Sequence, residues 1–242
     1  MMKSKKKQII LLVFLVCLLL VINYPSLDRV LKTFLLDYET AKIDRIIDGD
    51  TIVSNKTSIR LLGINTPERG EKYYQEAKEF LEGLLLNKTV KLEFGKDKYD
   101  KYDRLLAYVF LDEENINLKL IEKGFANYYF YSGKDKYSND LLDAWSFCIK
   151  KNINLCEKSE DKCSDCIELK PGNTLKNNCN FECNIYNWQI KGEGRKIFVF
   201  SEEILKGGKE ILFELELTNT GDTLFLRDAE GGLVLWESWL LI

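Results

Sequence analysis

Three short segments set acidic and basic residues close together: Asp48-Gly49-Asp50-Thr51, Arg60-Leu61-Leu62-Gly63-Ile64-Asn65-Thr66-Pro67-Glu68, and Lys101-Tyr102-Asp103-Arg104. Each puts charge beside apolar, strand-like residues, where water is partly excluded. Asp48 and Asp50 flank a glycine at a tight turn, so two carboxylates reach neighbouring space, as a hard divalent ion requires. Asn65 adds a side-chain carbonyl, Thr66 a backbone carbonyl, and Pro67 stiffens the corner. Glu68 follows, placed to orient and deprotonate a water beside a cation. Arg60 and Arg104 supply guanidinium groups suited to a phosphodiester whose charge rises in the transition state. Taken singly, the Asp-Gly-Asp is a solvated hairpin turn and each arginine a surface ion pair. Jointly, the oxygen donors, the acid and the two arginines form a set for phosphoryl hydrolysis. The chain contains no His, which removes the commonest general base and transition-metal ligand.

The elements that must position these residues are short strands. Apolar Ile43, Ile46 and Ile47 precede the Asp48-Gly49-Asp50 turn; Thr51–Val53 and Ser58–Leu62 read as strands around an Asn55-Lys56 hairpin tip. Tyr74, Ala77, Phe80, Leu81 and Leu84 recur at helical spacing within residues 73–86. Val90–Phe94 alternates with period two, Leu105–Leu111 is β-rich, and a short helix over Asn117–Lys123 ends at Gly124. Ala126–Tyr131 reads as an aromatic strand, and Ser138 as the cap of a helix through Leu141, Leu142, Trp145 and Ile149. Strands with a helix between the third and fourth fit a small Greek-key barrel of the OB type, whose strand face and loops take oligonucleotides.

With order and spacing in view, residues 41 to about 157 resemble the thermonuclease family, the staphylococcal-nuclease-like domains. The resemblance is carried by Ile47–Thr51, Ile59–Glu68 and Lys101–Val109, in register with the intervening helix. It implies an OB-fold five-stranded barrel plus helices and a Ca²⁺-dependent nuclease of DNA and RNA, a hydrolase. Asp50 would be a direct calcium ligand and Thr66 would ligate through its carbonyl. Asn65 stands where the family usually has an Asp, and Asp48 lies in the outer shell. Glu68 would be the base, with Arg60 and Arg104 on the phosphate. Asn65 removes one negative charge, which implies weaker calcium binding. Asp103 stands where the family favours Gly; it tolerates a left-handed turn but its carboxylate can compete for Arg104. Lys101, Tyr102, Tyr128 and Tyr131 are candidate substrate contacts, the tyrosines as stacking faces for bases, although such aromatics more often pack a barrel wall.

Charge and cysteines place these parts. Residues 41–158 carry 20 basic and 20 acidic side chains and residues 159–242 carry 9 and 15, so no broad basic surface draws in nucleic acid and a local site must hold it. Lys3, Lys5, Lys6 and Lys7 precede an apolar run from Ile9 to Ile22. This reads as a signal anchor or signal peptide over residues 1–25, with residues 26–40 as a tether. The domains are then expected outside the membrane, anchored there, or secreted if the leader is cut. Cys148, Cys156, Cys163, Cys166, Cys179 and Cys183 are an even set. In an exported segment they favour disulfides over a zinc site, and sequence does not choose their pairing.

Residues 158–184 read as a Cys-rich linker and the start of a second domain. Beyond it, Asn187–Ile190, Gly194–Phe198 and Thr218–Asp228 resemble a lamin-tail-type immunoglobulin sandwich over about 166–242. That resemblance implies a binding or placement module; an envelope component is a separate expectation for its partner. Trp188, Trp236 and Trp239 read as core or interface. The chain as a whole is expected to be a monomer. The competing readings are a catalytically weak nucleic-acid binding module on the same fold, and a surface protein whose sandwich is the working part.

Overall fold

A computed structural model describes Val13, Leu15 and residues 38–130, 133–201, 204–216 and 222–239. Two compact units divide the chain, residues 1–39 and 40–242. Of the first, Val13 and Leu15 are helical; the rest of the Ile9–Ile22 run and the tether lie outside the described residues. Among the described residues no helix is long and apolar enough to cross a membrane.

From Tyr38 onward the chain forms β1 (Tyr38–Lys42), β2 (Arg45–Asp48), β3 (Thr51–Ser54) and β4 (Thr57–Leu61). Asn55 and Lys56 both have positive φ, 45° and 67°, the two-residue turn whose twist matches a hairpin. That turn fixes the register: Thr51 faces Arg60 and Ile52 faces Ile59. Next come β5 (Ile64–Asn65), helix α1 (Tyr74–Leu85), β6 (Thr89–Tyr99), β7 (Leu105–Leu111), β8 (Glu114–Asn115), helix α2 (Ile116–Glu122), β9 (Asn127–Tyr128) and helix α3 (Ser138–Lys151). The main sheet runs β1-β6-β7-β4-β3-β2, with β4 and β7 parallel. This is the expected OB-type barrel with helices. Its core gathers Ile46, Ile52 and Leu61 from the strands, Leu81 and Leu85 from α1, and Leu141 and Trp145 from α3.

Three expectations change in detail. The aromatic strand over residues 126–131 is only two residues long, because β9 pairs with β5 alone; Tyr131 lies outside the described residues. Ser138 is the first helical residue of α3 rather than its cap, since its hydroxyl oxygen accepts from the Asp135 N–H at 2.7 Å. Asn117 reads as an ordinary helical position, yet it is fully buried. Its Oδ1 accepts from the Val109 N–H at 2.9 Å and its Nδ2 donates to the Leu62 carbonyl at 2.7 Å. A buried amide so satisfied ties α2 to β7 and to the end of β4.

The segment 158–184 is more than a linker. It holds β10 (Ile167–Lys170), β11 (Thr174–Asn177) and β12 (Cys183–Asn184), and Cys163, Cys166, Leu169, Leu175 and Cys183 enter a second apolar core. Disulfides join Cys148–Cys156, Cys163–Cys183 and Cys166–Cys179, which leaves none of the six thiols for zinc. The chain continues through β13 (Gln189–Lys191), β14 (Ile197–Val199), β15 (Ile204–Leu205), β16 (Glu210–Leu212), β17 (Asp222–Arg227) and β18 (Leu233–Trp239). Sheets β10-β11-β16 and β14-β13-β17-β18 share the core built on Leu175, Trp188, Ile190 and Leu226, as a β-sandwich does.

The two cores meet across β17. Leu224 and Leu226 face the sandwich core, whereas Phe225 belongs to the barrel core. Its ring lies 5.6 Å from Tyr128 and 5.3 Å from Trp145. Leu233 joins the same cluster, and Trp236 stands edge-on to Trp145 at 6.1 Å.

Candidate active site

The β3–β4 register brings Asp50 and Arg60 together at one end of the hairpin. Leu61 N–H donates to the Asp50 carbonyl at 2.8 Å, and the two side chains form a buried ion pair. Asp50 is saturated further. Thr51 Oγ donates to Oδ1 at 3.1 Å, and the Thr66 N–H and hydroxyl donate to Oδ2 at 3.1 and 3.0 Å. Burial works to raise the Asp50 pKa, but Arg60 and these donors outweigh it and hold the carboxyl below its ordinary value. Arg60 also donates to the Ile64 carbonyl at 3.0 Å and to Asn65 Oδ1 at 3.2 Å. Asp50, Arg60, Asn65 and Thr66 are thus one buried hydrogen-bonded cluster.

Asp48 joins from the rim, where its Oδ1 accepts from the Asp50 N–H at 3.2 Å. Burial first, and then the neighbouring Asp50 carboxylate, push Asp48 up to about 6. Two crowded carboxylates, an amide oxygen and a backbone carbonyl are the hard oxygen donors that a calcium ion takes, and a cation would relieve the crowding. The donor set therefore fits calcium, with two full negative charges rather than three. Gly49 has to be glycine on packing grounds: a Cβ there would lie 2.9 Å from Ala77 Cβ, Thr66 Cβ and Thr66 Oγ.

Glu68 and Arg104 are held by other residues. Glu68 is 37% exposed and pairs with Arg195 of the β13–β14 hairpin, Nε to Oε1 at 2.7 Å; its N–H donates to Glu71 Oε2 at 2.9 Å. Arg104 pairs with Asp100 through Nε and Nη2, both at 2.7 Å. Asp100 also accepts the N–H groups of Arg104 and Tyr102. Burial raises the Asp100 carboxyl, but those N–H groups and the guanidinium outweigh it and hold it low. So the acid that engages Arg104 is Asp100, not Asp103; Asp103 instead takes the left-handed turn, with φ 59°. Among the described contacts nothing joins Arg104 to the Asp50 cluster directly. The register sets Arg60 opposite Leu106, two residues beyond Arg104.

Of the candidate substrate contacts, Tyr102 is 65% exposed. Lys101 and Arg104 lie 5.1 and 5.6 Å from its ring. Tyr128 is a correction: it is buried among Phe130, Trp145 and Phe225 and offers no face to a base. An aromatic run such as Ala126–Tyr131 does not itself show which of its rings are covered. Asp100 and Arg195 are the residues that motif reading passed over. Asp100 carried a signal, an acid four residues before an arginine across a turn. Arg195 carried none.

A cavity of about 250 Å³ lies beside this cluster, lined by Asn65, Thr66, Glu71, Lys191 and Arg227 among others. Comparison with known proteins adds to the geometry. The family model described as "Staphylococcal nuclease homologue" matches residues 58–157. A thermonuclease of Staphylococcus intermedius is 34% identical over 161 residues, covering 62% of this chain and 96% of the relative. A thermonuclease of Staphylococcus hyicus is 38% identical over 127 residues, 48% of this chain and 75% of the relative. Endonuclease YncB of Bacillus subtilis is 32% identical over 142 residues, 48% of this chain and 67% of the relative.

Proposed function

Since this chain belongs to the staphylococcal nuclease family, we propose that it is a hydrolytic endonuclease that cleaves phosphodiester bonds of DNA or RNA, with calcium, outside the cytoplasm. The observation that carries the reading is the buried Asp50–Arg60 pair clasped by Thr51, Asn65 and Thr66. A carboxylate and a guanidinium are fixed there where water is scarce and electrostatic interactions are strong.

Asp50, Asn65 Oδ1 and the Thr66 carbonyl would hold the calcium, with Asp48 beyond them; bound there, the ion supplies Lewis-acid polarisation of a phosphoryl oxygen. The remaining work belongs to this chain. Glu68, at the solvent edge, takes the proton from the attacking water. Arg60 donates to a non-bridging phosphate oxygen as charge builds there, and Arg104, oriented by Asp100, holds a second. Tyr102 gives an exposed ring beside Arg104 against which a base can stack.

Three disulfides support an oxidising compartment, in agreement with the positive and apolar leader. The lamin-tail resemblance supports a placement role for the C-terminal sandwich. The test is the full chain on single-stranded and duplex DNA, with Ca²⁺ or with chelator. Cleavage is expected only with Ca²⁺, and Glu68→Gln and Arg104→Ala are each expected to lower kcat about 100-fold or more. Cleavage that persists undiminished in both variants refutes the assignment.

A further inference from the structure

The β13–β14 hairpin, through Lys191 and the tip Gly192–Lys196, is seated against the barrel by four polar ties. Asn65 Nδ2 donates to the Gly194 carbonyl at 3.0 Å. Arg195 pairs with Glu68 at 2.7 Å. Lys191 Nζ meets both Glu71 oxygens at 2.7 and 2.9 Å. Phe130 N–H donates to Glu193 Oε2 at 2.7 Å. Glu193 is itself buried, and its other oxygen accepts from the Thr223 hydroxyl at 2.8 Å.

An ion pair as exposed as Arg195–Glu68 contributes little by itself. Its position is nonetheless fixed, because the two residues before it are pinned: Gly194 by buried Asn65, and Glu193 by Phe130 and Thr223. The side chain itself is 60% exposed, so it gives up little on leaving Glu68. Any phosphate that approaches a water held by Glu68 comes within reach of this guanidinium. Residues 41–242 carry 29 basic against 35 acidic side chains, so one more cation at the site matters.

We propose that Arg195 is a third phosphate-binding arginine of the active site, contributed by the C-terminal sandwich. Without substrate it rests on Glu68. The incoming phosphodiester takes the guanidinium and frees the Glu68 carboxylate to accept a proton. This rests on the nuclease reading above.

The experiment uses the full chain and a fluorescein-labelled single-stranded oligonucleotide, with chelator so that nothing is cut, across a salt series. Arg195→Ala is expected to weaken binding about tenfold and to reduce the slope of log K against log salt by about 0.7, one phosphate contact fewer. Arg195→Lys should keep the slope while losing affinity. Lys206→Ala, remote from the site, should change neither. With Ca²⁺, Arg195→Ala should raise KM about tenfold and leave kcat within about threefold. If Arg195→Ala binds with wild-type affinity and slope, or cleaves faster than wild type, the proposal is wrong, and in the second case the pair is an inhibitory clamp. A wild-type chain without salt-sensitive binding overturns it too. If wild type binds and Arg195→Ala loses slope but neither cleaves, the nuclease reading fails and the phosphate contact stands.

Discussion

Asn65 has to donate on one side and accept on the other. Arg60 only donates and the Gly194 carbonyl only accepts, so an amide satisfies both where a carboxylate satisfies one. This explains the departure from the family's Asp. Asn65→Asp should restore a negative charge and tighten calcium binding about tenfold. It should also set a carboxylate against the Gly194 carbonyl and lower the stability of the calcium-free protein by about 1–3 kcal/mol; calcium titration and thermal unfolding read the two effects. Asp100 is a second residue-scale case. Asp100→Asn should leave Arg104 less firmly held and cut kcat about tenfold. Because the folded carboxyl lies below its unfolded value near 3.8, its stabilisation is present above that pH and is lost as pH falls through the lower folded value. Acid unfolding of Asp100→Asn should therefore be less steep in that window. The Asp50, Arg60, Asn65 and Thr66 cluster was legible in the sequence because a two-residue hairpin and a short loop bring those residues together locally. The Glu68–Arg195 pair spans the two β-domains, and nothing near either residue announces the other.

At the scale of elements, the barrel strands and three helices followed from period and turn chemistry. Length was harder: β9 stops after two residues because its partner β5 has only two, a tertiary limit that alternation does not record. The 158–184 segment reads as linker and start of the second domain together because its apolar content is low; in the fold cystines supply core surface in place of aliphatic side chains. Cys163–Cys183 and Cys166–Cys179 close loops of 20 and 13 residues, each worth about 3 kcal/mol. Cys166→Ser with Cys179→Ser should lower the melting temperature of the sandwich, followed by near-ultraviolet circular dichroism at Trp188. Gly49→Ala should crowd Thr66 and α1 and cost about 1–3 kcal/mol, with loss of cleavage.

At the scale of the molecule, β17 is shared. With Leu224 and Leu226 in one core and Phe225 in the other, the barrel and the sandwich should unfold as one. Urea denaturation followed at Trp145 and at Trp188, in single-tryptophan variants, should give coincident transitions. Phe225→Ala should lower stability by about 3–5 kcal/mol, and a chain cut after residue 157 should expose Tyr128 and Trp145 and melt lower than the whole. Alternation along β17 predicts two faces; only the fold shows that both are covered.

All three disulfides lie at or beyond Cys148, behind the barrel strands that carry Asp50 and Arg60. Two of the three staple the sandwich that delivers Arg195, and the third, Cys148–Cys156, staples the end of α3 within the barrel core. Because the two cores share β17, a chain kept reduced is expected to loosen both together, the calcium site as well as the hairpin that carries Arg195. Its cleavage is expected to rise as the sulfurs pair, which activity with and without a thiol reductant measures.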